Sequence, residues 1–124
     1  MGQTVHSTIL NLSEGRAIGI RLQGRLMDEH NEKFLSRIDR MITEYTTIRL
    51  LLELKGLKGF APDELWRQLN FQDRHFQACE RLALIAEDDW AEATEILREP
   101  FSKGDVKCFP PAMLRKAWAW IKQE

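Results

Sequence analysis

The stretch Arg49-Leu50-Leu51-Leu52-Glu53-Leu54-Lys55-Gly56-Leu57-Lys58-Gly59-Phe60-Ala61-Pro62-Asp63-Glu64-Leu65-Trp66 decides the fold. Ile48 to Leu54 is a nearly unbroken apolar run, the pattern of a strand buried on both faces of a parallel sheet. Gly56 and Gly59 then punctuate a loop. Pro62 suits a first helical turn, and Asp63 and Glu64 suit the positive end of a helix. A strand, a loop and a helix in this order form one βα unit. In α/β sheets such junctions commonly hold ligands. Yet from Glu53 to Asn70 there is no Ser, Thr, Tyr, Cys or His. The loop has no hydroxyl to phosphorylate and no nucleophile. It carries Leu57, Phe60, Leu65, Trp66 and Leu69 among scattered lysines instead.

Upstream, Ser7 to Leu12 reads as a short strand, Ser13-Glu14-Gly15 as a hairpin turn, and Arg16 to Leu22 as the returning strand. Gly24 ends that run. Asp28 is a plausible N-cap for a helix whose Phe34, Leu35, Ile38, Met41, Ile42 and Tyr45 recur at three- and four-residue spacing. Downstream, Leu65, Leu69 and Phe76 mark one face of a helical segment from Pro62 to Cys79, with Trp66 beside them. The weakly helical Asn70-Phe71-Gln72-Asp73 predicts a break within it. Leu82 to Ala86 is another buried strand. Asp88 and Asp89 cap a helix with Trp90, Ala93, Ile96 and Leu97 inward, ended by Glu99-Pro100. Asp105 to Phe109 is a last strand. Pro110-Pro111 opens a last helix with Leu114, Ala117, Trp118 and Ile121 on one face. The order β-β-α-β-α-β-α-β-α predicts a single α/β domain over residues 1–124. Its mostly parallel five-stranded sheet has one antiparallel edge strand and about four helices on its two faces.

Composition narrows the function classes. A net charge of −1 and a pI near 6.3 lack the positive excess that phosphate-backbone binding needs, so no nucleic-acid partner is expected. No apolar run approaches the roughly 18 residues of a spanning helix. Residues 1–6 show neither a signal peptide nor the Ser or Thr that myristoylation prefers. Cys79 and Cys108 form no ligand cluster and read as reduced thiols, so a cytoplasmic protein is expected. His75 and Cys79 are four apart, but no third ligand or orienting group stands near. No metal, no cofactor and no catalytic residue is predicted. Asp63-Glu64 and Asp88-Asp89 sit where helix starts favour negative charge, and Gly56-x-x-Gly59 matches no phosphate loop.

The chain resembles the SpoIIAA-like family, whose fold is similar to the STAS domain of anti-sigma factor antagonists. The likeness rests on Arg81-Leu82-Ala83-Leu84-Ile85-Ala86-Glu87-Asp88-Asp89-Trp90, Pro100-Phe101, Val106-Lys107-Cys108-Phe109 and Ala117-Trp118-Ala119-Trp120-Ile121. It implies a STAS-like topology. In the antagonists a serine at the strand-to-helix loop is phosphorylated and switches partner binding. The matching loop here, Leu57 to Ala61, has no acceptor. Family relatives are also compared with lipid-binding domains of related topology.

These readings converge on a non-enzymatic binding module. Leu57, Phe60, Leu65, Trp66, Leu69, Phe71 and Phe76 are the candidate ligand- or membrane-binding residues. Mixed with Lys55, Lys58, Arg67, Arg74 and His75, they suit either an interfacial helix or a helical lid over residues 56–79, hinged near Gly56–Gly59 and Asn70. They equally suit plain packing on the sheet. The expected partner is a hydrophobic small molecule or lipid, with peripheral contact at the inner membrane face. The alternative is a protein–protein interaction module of the antagonist type that lacks the phosphorylatable serine. A homodimer stays open, since Trp120 cannot share a helix face with Trp118 and fits a sheet edge or a subunit interface.

Overall fold

A computed structural model describes residues 6–9, 15–25, 32–58, 65–69, 71–86, 94–101 and 104–123. Its elements are β1 (His6–Ile9), β2 (Ala17–Arg25), α1 (Glu32–Tyr45), β3 (Ile48–Lys58), α2 (Leu65–Gln68), α3 (Asp73–Ala78), β4 (Cys79–Ile85), α4 (Thr94–Arg98), β5 (Asp105–Phe109), a 3-10 turn (Pro111–Met113) and α5 (Leu114–Lys122). The five strands lie side by side in sequence order. β1 is antiparallel to β2, and β2 through β5 are parallel.

That order dictates where the helices go. Each parallel connection crosses over with one handedness, so a sheet that grows steadily in one direction collects its crossover helices on the same face. Ile18, Ile20 and Leu22 of β2, the even-numbered residues Ile48 to Leu54 of β3, Leu82 and Leu84 of β4 and Val106 of β5 form that face. They share one core with Ile38 and Met41 of α1, Leu65, Trp66 and Leu69, Leu97 of α4, and Phe101. The opposite face is built from Ala17, Leu51, Ala83 and Ile85 and is covered by Ala117, Trp118 and Ile121 of α5. Small side chains on that face let α5 lie close to the strands. Beyond its reach, Arg21 and Glu53 stand in register on neighbouring strands and pair at 2.5 Å.

Several expectations shift. β3 does not stop at Leu54. It runs through Gly56 to Lys58, so Gly56 and Leu57 lie in β3 rather than in a loop. β2 likewise continues through Gly24 to Arg25, where the register against β3 shifts between Gln23 and Arg25. A glycine in a strand marking such an irregularity is common. Of the predicted 62–79 helix the described residues form two short helices, Cys79 opens β4, and the start at Pro62-Asp63-Glu64 lies outside the described residues. Tyr45 and Ile96 are exposed rather than inward. Tyr45 is the last residue of α1, directly before Thr46, whose φ of 70° turns the chain out of the helix. Ile96 is exposed beside Leu97, which takes the inward position of the described part of α4. The strand residues Leu10–Leu12, the Ser13-Glu14 part of the turn, the Asp28 and Asp88-Asp89 caps, Gly59, Phe60, Asn70, Trp90 and Ala93 lie outside the described residues.

Candidate functional site

The aromatic segment between β3 and β4 is the feature with most to explain. The described part of α2 has 4 residues and α3 has 6, far below the length at which a helix holds itself together in water. Their order comes from what they touch. Leu65, Trp66 and Leu69 are fully or nearly fully buried, whereas Phe71 and Phe76 are half-buried against the same core. The Trp66 ring lies 5.1 Å from Phe71, 5.9 Å from Phe76 and 5.1 Å from Phe101. Phe76 meets Phe101 edge-on at 5.0 Å. Such tilted and edge-to-face pairs add to the gain from burial. Of the candidate binding residues, the structure thus gathers Leu65, Trp66, Leu69, Phe71 and Phe76 over the sheet. In this conformation they serve as packing.

Polar contacts fix the segment at two places. The Trp66 indole Nε1 donates to the Leu97 carbonyl at 2.9 Å, bridging to α4. The second place was invisible to spacing arguments. His75, 2% exposed, sits against Asp39 of α1, with Nε2 2.8 Å from Oδ1. Its Nδ1 accepts the Gln72 amide at 2.9 Å, so the ring proton belongs on Nε2, which donates to the carboxylate. Arg74 reaches the same carboxylate from Nε and Nη2 at 3.4 and 3.3 Å. Partial burial by itself raises the Asp39 carboxyl, but the hydrogen bonds from His75 and Arg74 and the Arg74 charge outweigh it and hold the group below its ordinary value.

Cys79 does not extend the helix of His75 but opens β4. Cys79 is in a strand, its Sγ donates to the Arg81 carbonyl, and burial pushes its thiol up to about 12. A thiol so disfavoured from ionising is no nucleophile. Among the described residues no three His, Cys, Asp or Glu side chains gather as a metal site would require.

The strand order removes the crevice that α/β sheets usually offer. Ligands sit where the order reverses and neighbouring crossovers diverge to opposite faces. From β2 to β5 this order never reverses. The β3–α2 junction is therefore not such a point.

A second polar cluster lies at the start of β3 and β4. Arg49, 7% exposed, pairs with Glu80 at 3.0 Å and donates to the carbonyls of Ile121 at 3.0 Å and Gln123 at 2.5 Å. Arg81 donates to the carbonyls of Trp120, at 2.7 Å, and of Gln123. Two guanidiniums thereby satisfy the open carbonyl end of α5. Partial burial raises Glu80, while Arg49, Thr47 and Arg16 more than reverse this and leave its carboxyl below the usual range. Trp120 is half-buried beside Phe109 of β5 at 6.1 Å, with Lys107 4.9 Å from the ring centre. That places it against the outermost strand of the described sheet.

No curated protein matches the chain. Among solved structures, it is similar to an uncharacterized protein of the DUF3478 family with a SpoIIAA-like fold from Shewanella loihica PV-4. The two share 21% identity over 95% of this chain and 94% of that one, with a TM-score of 0.70. No helix is long and apolar enough to cross a membrane, among the described residues. The family model described as SpoIIAA-like matches residues 17–122, from the start of β2 to the end of α5, and the chain belongs to the SpoIIAA-like family.

Proposed function

We propose that this protein is a non-enzymatic module that binds an apolar small molecule or lipid between the α2–α3 segment and the sheet, with that segment as the moving part. The observation that carries the reading is the aromatic cluster of Trp66, Phe71, Phe76 and Phe101, which runs from the half-exposed surface down to the core. Beneath it, Leu50, Leu52, Leu82 and Leu84 form an apolar floor. Two very short helices can lift with few broken hydrogen bonds. Rotating aromatic rings can wall an apolar cavity, and aromatic side chains are the usual lining of ligand pockets. A sheet without a switch point makes opening the natural route to a site.

Peripheral contact with a membrane follows as part of the proposal. Phe71 and Phe76 would enter the headgroup layer during exchange, with the exposed Arg74 beside them. The test is native mass spectrometry and organic extraction of the purified protein, then co-sedimentation with phosphatidylcholine–phosphatidylglycerol vesicles. A copurifying apolar molecule, or sedimentation lost on Phe71→Ser and Phe76→Ser, supports the reading. A ligand-free protein that ignores vesicles overturns it. A single stoichiometric protein recovered in its place would favour the antagonist-type interaction module. Family membership favours that second reading, and the lack of any hydroxyl from Glu53 to Asn70 requires it to work without a phosphoserine there.

A further inference from the structure

Resting on the reading that α2–α3 moves, we propose that Asp39 of α1 is the latch that keeps the segment shut. One carboxylate collects both side chains by which the first turn of α3 reaches α1. His75 comes to Oδ1 at 2.8 Å, and Arg74 comes to both oxygens at 3.4 and 3.3 Å. Each partner is locked from its other side. The His75 Nδ1 accepts the Gln72 amide, and Arg74 Nη1 donates to the Gln72 side-chain oxygen at 3.2 Å. Gln72 is the N-cap of α3, so the latch also shapes the break between the two helices. The Phe71 ring lies 5.2 Å from the imidazole, which couples this polar site to the aromatic cluster.

The energetic logic is asymmetric. The His75 ring is 2% exposed and donates from Nε2, whereas the Asp39 side chain is 42% exposed. Without the carboxylate, a buried N–H has no partner, and it regains one by moving outward into water. Movement outward carries α3 with it. The same loss elsewhere on the surface, as at the exposed pair of Arg98 and Glu95, would strand no buried group. Asp39 is thus a positioning residue for the lid, acting from a helix that is not part of it.

Hydrogen exchange on the full-length chain tests this directly. The reporters are the bonded amides of Leu69, Phe71 and Phe76, whose acceptors are the carbonyls of Leu65, Trp66 and Gln72. In Asp39→Ala these amides are expected to exchange about tenfold faster or more, the factor that corresponds to one lost charge-assisted hydrogen bond. The amides of β3 and β4 should keep their wild-type rates. Asp39→Asn keeps an acceptor for His75 and loses the charge for Arg74, so it should restore most of the protection. Unchanged rates in α2–α3, or equal acceleration in lid and strands, would overturn the latch. Binding of 8-anilino-1-naphthalenesulfonate separates this from the reading beneath it. Faster lid exchange with more dye bound upholds both. Faster lid exchange with no added dye binding upholds the latch and removes the apolar site.

Discussion

Replacing Trp66 by Phe isolates what a single buried N–H contributes to the packing of α2–α3. The benzenoid ring can remain among Phe71, Phe76 and Phe101, so most of the aromatic contact survives. The indole Nε1 bond to the Leu97 carbonyl does not survive. Losing that bond costs about 1 kcal/mol, and leaving a buried carbonyl without its donor adds about 1–3 kcal/mol. The smaller ring leaves a void at a residue only 6% exposed, which increases the cost further. The bond terms alone come to about 2–4 kcal/mol, which is the least the change should cost. For 124 residues the unfolding entropy converts this to a fall in Tm of about 8–15 °C. Equilibrium unfolding in guanidinium chloride, followed by far-UV circular dichroism, reads it without relying on tryptophan fluorescence. The midpoint should fall with the slope unchanged. A change under about 0.5 kcal/mol would mean that the Trp66–Leu97 bond does not hold α2 to α4, and the description of the closed segment would be wrong.

Three further outcomes follow from local geometry. Thr46, a β-branched residue at φ 70°, should be better replaced by Asn, which tolerates the left-handed region; Thr46→Asn should raise stability by about 0.5–1 kcal/mol, and a lower Tm would refute the strain. A Cβ on Gly104 would stand 2.6 Å from the Cys79 carbonyl oxygen and 3.3 Å from that of Glu80. Gly104→Ala should therefore push the start of β5 from β4 and cost about 1–3 kcal/mol, and a melt identical to wild type would contradict that approach. Asp39 and Glu80 both bind protons less readily in the folded protein. Their contribution is full above the unfolded carboxylate range near pH 4 and is lost as pH falls through the lower folded values. Asp39→Asn with Glu80→Gln should flatten the decline of Tm below about pH 4; curves that stay parallel to wild type down to about pH 2 would argue against it.

How far the sequence was legible depended on the range of the interaction. β5 and the inward face of α5 were readable because alternation and 3.6-residue spacing are local, and Ala117, Trp118 and Ile121 are buried as their spacing predicts. The break near Asn70 was readable from helix propensity alone. β3 was misjudged at its far end because Gly56 signals a turn by composition. Its pairing with β2, which carries Gln23 opposite Lys55 and Arg25 opposite Lys58, holds it in the sheet. Cys79 was assigned to the helix because nothing local separates the last turn of α3 from the first residue of β4. The Asp39–His75 contact spans 36 residues, and Arg49 reaches carbonyls 72 and 74 residues away. Neither leaves a periodic trace. The one sign of either was a charged Arg49 heading a run of leucines, a polar side chain where the sheet offers no water.

That clamp bears on how the protein is made. Arg49 and Arg81 wait at the start of two central strands for carbonyls contributed by α5, which follows all five described strands along the chain and so leaves the ribosome after them. Until α5 emerges, a nascent sheet has its helical face roofed and its other face bare, with Leu51, Ala83 and Ile85 in water. Arg49, already committed to Glu80, then lacks its carbonyl acceptors. The growing chain is in this state a sticky, half-finished sheet, the kind of species that recruits chaperones or pairs with its neighbours. Completion is a single late event: one short helix closes the apolar face and neutralises the buried guanidinium's remaining demand together.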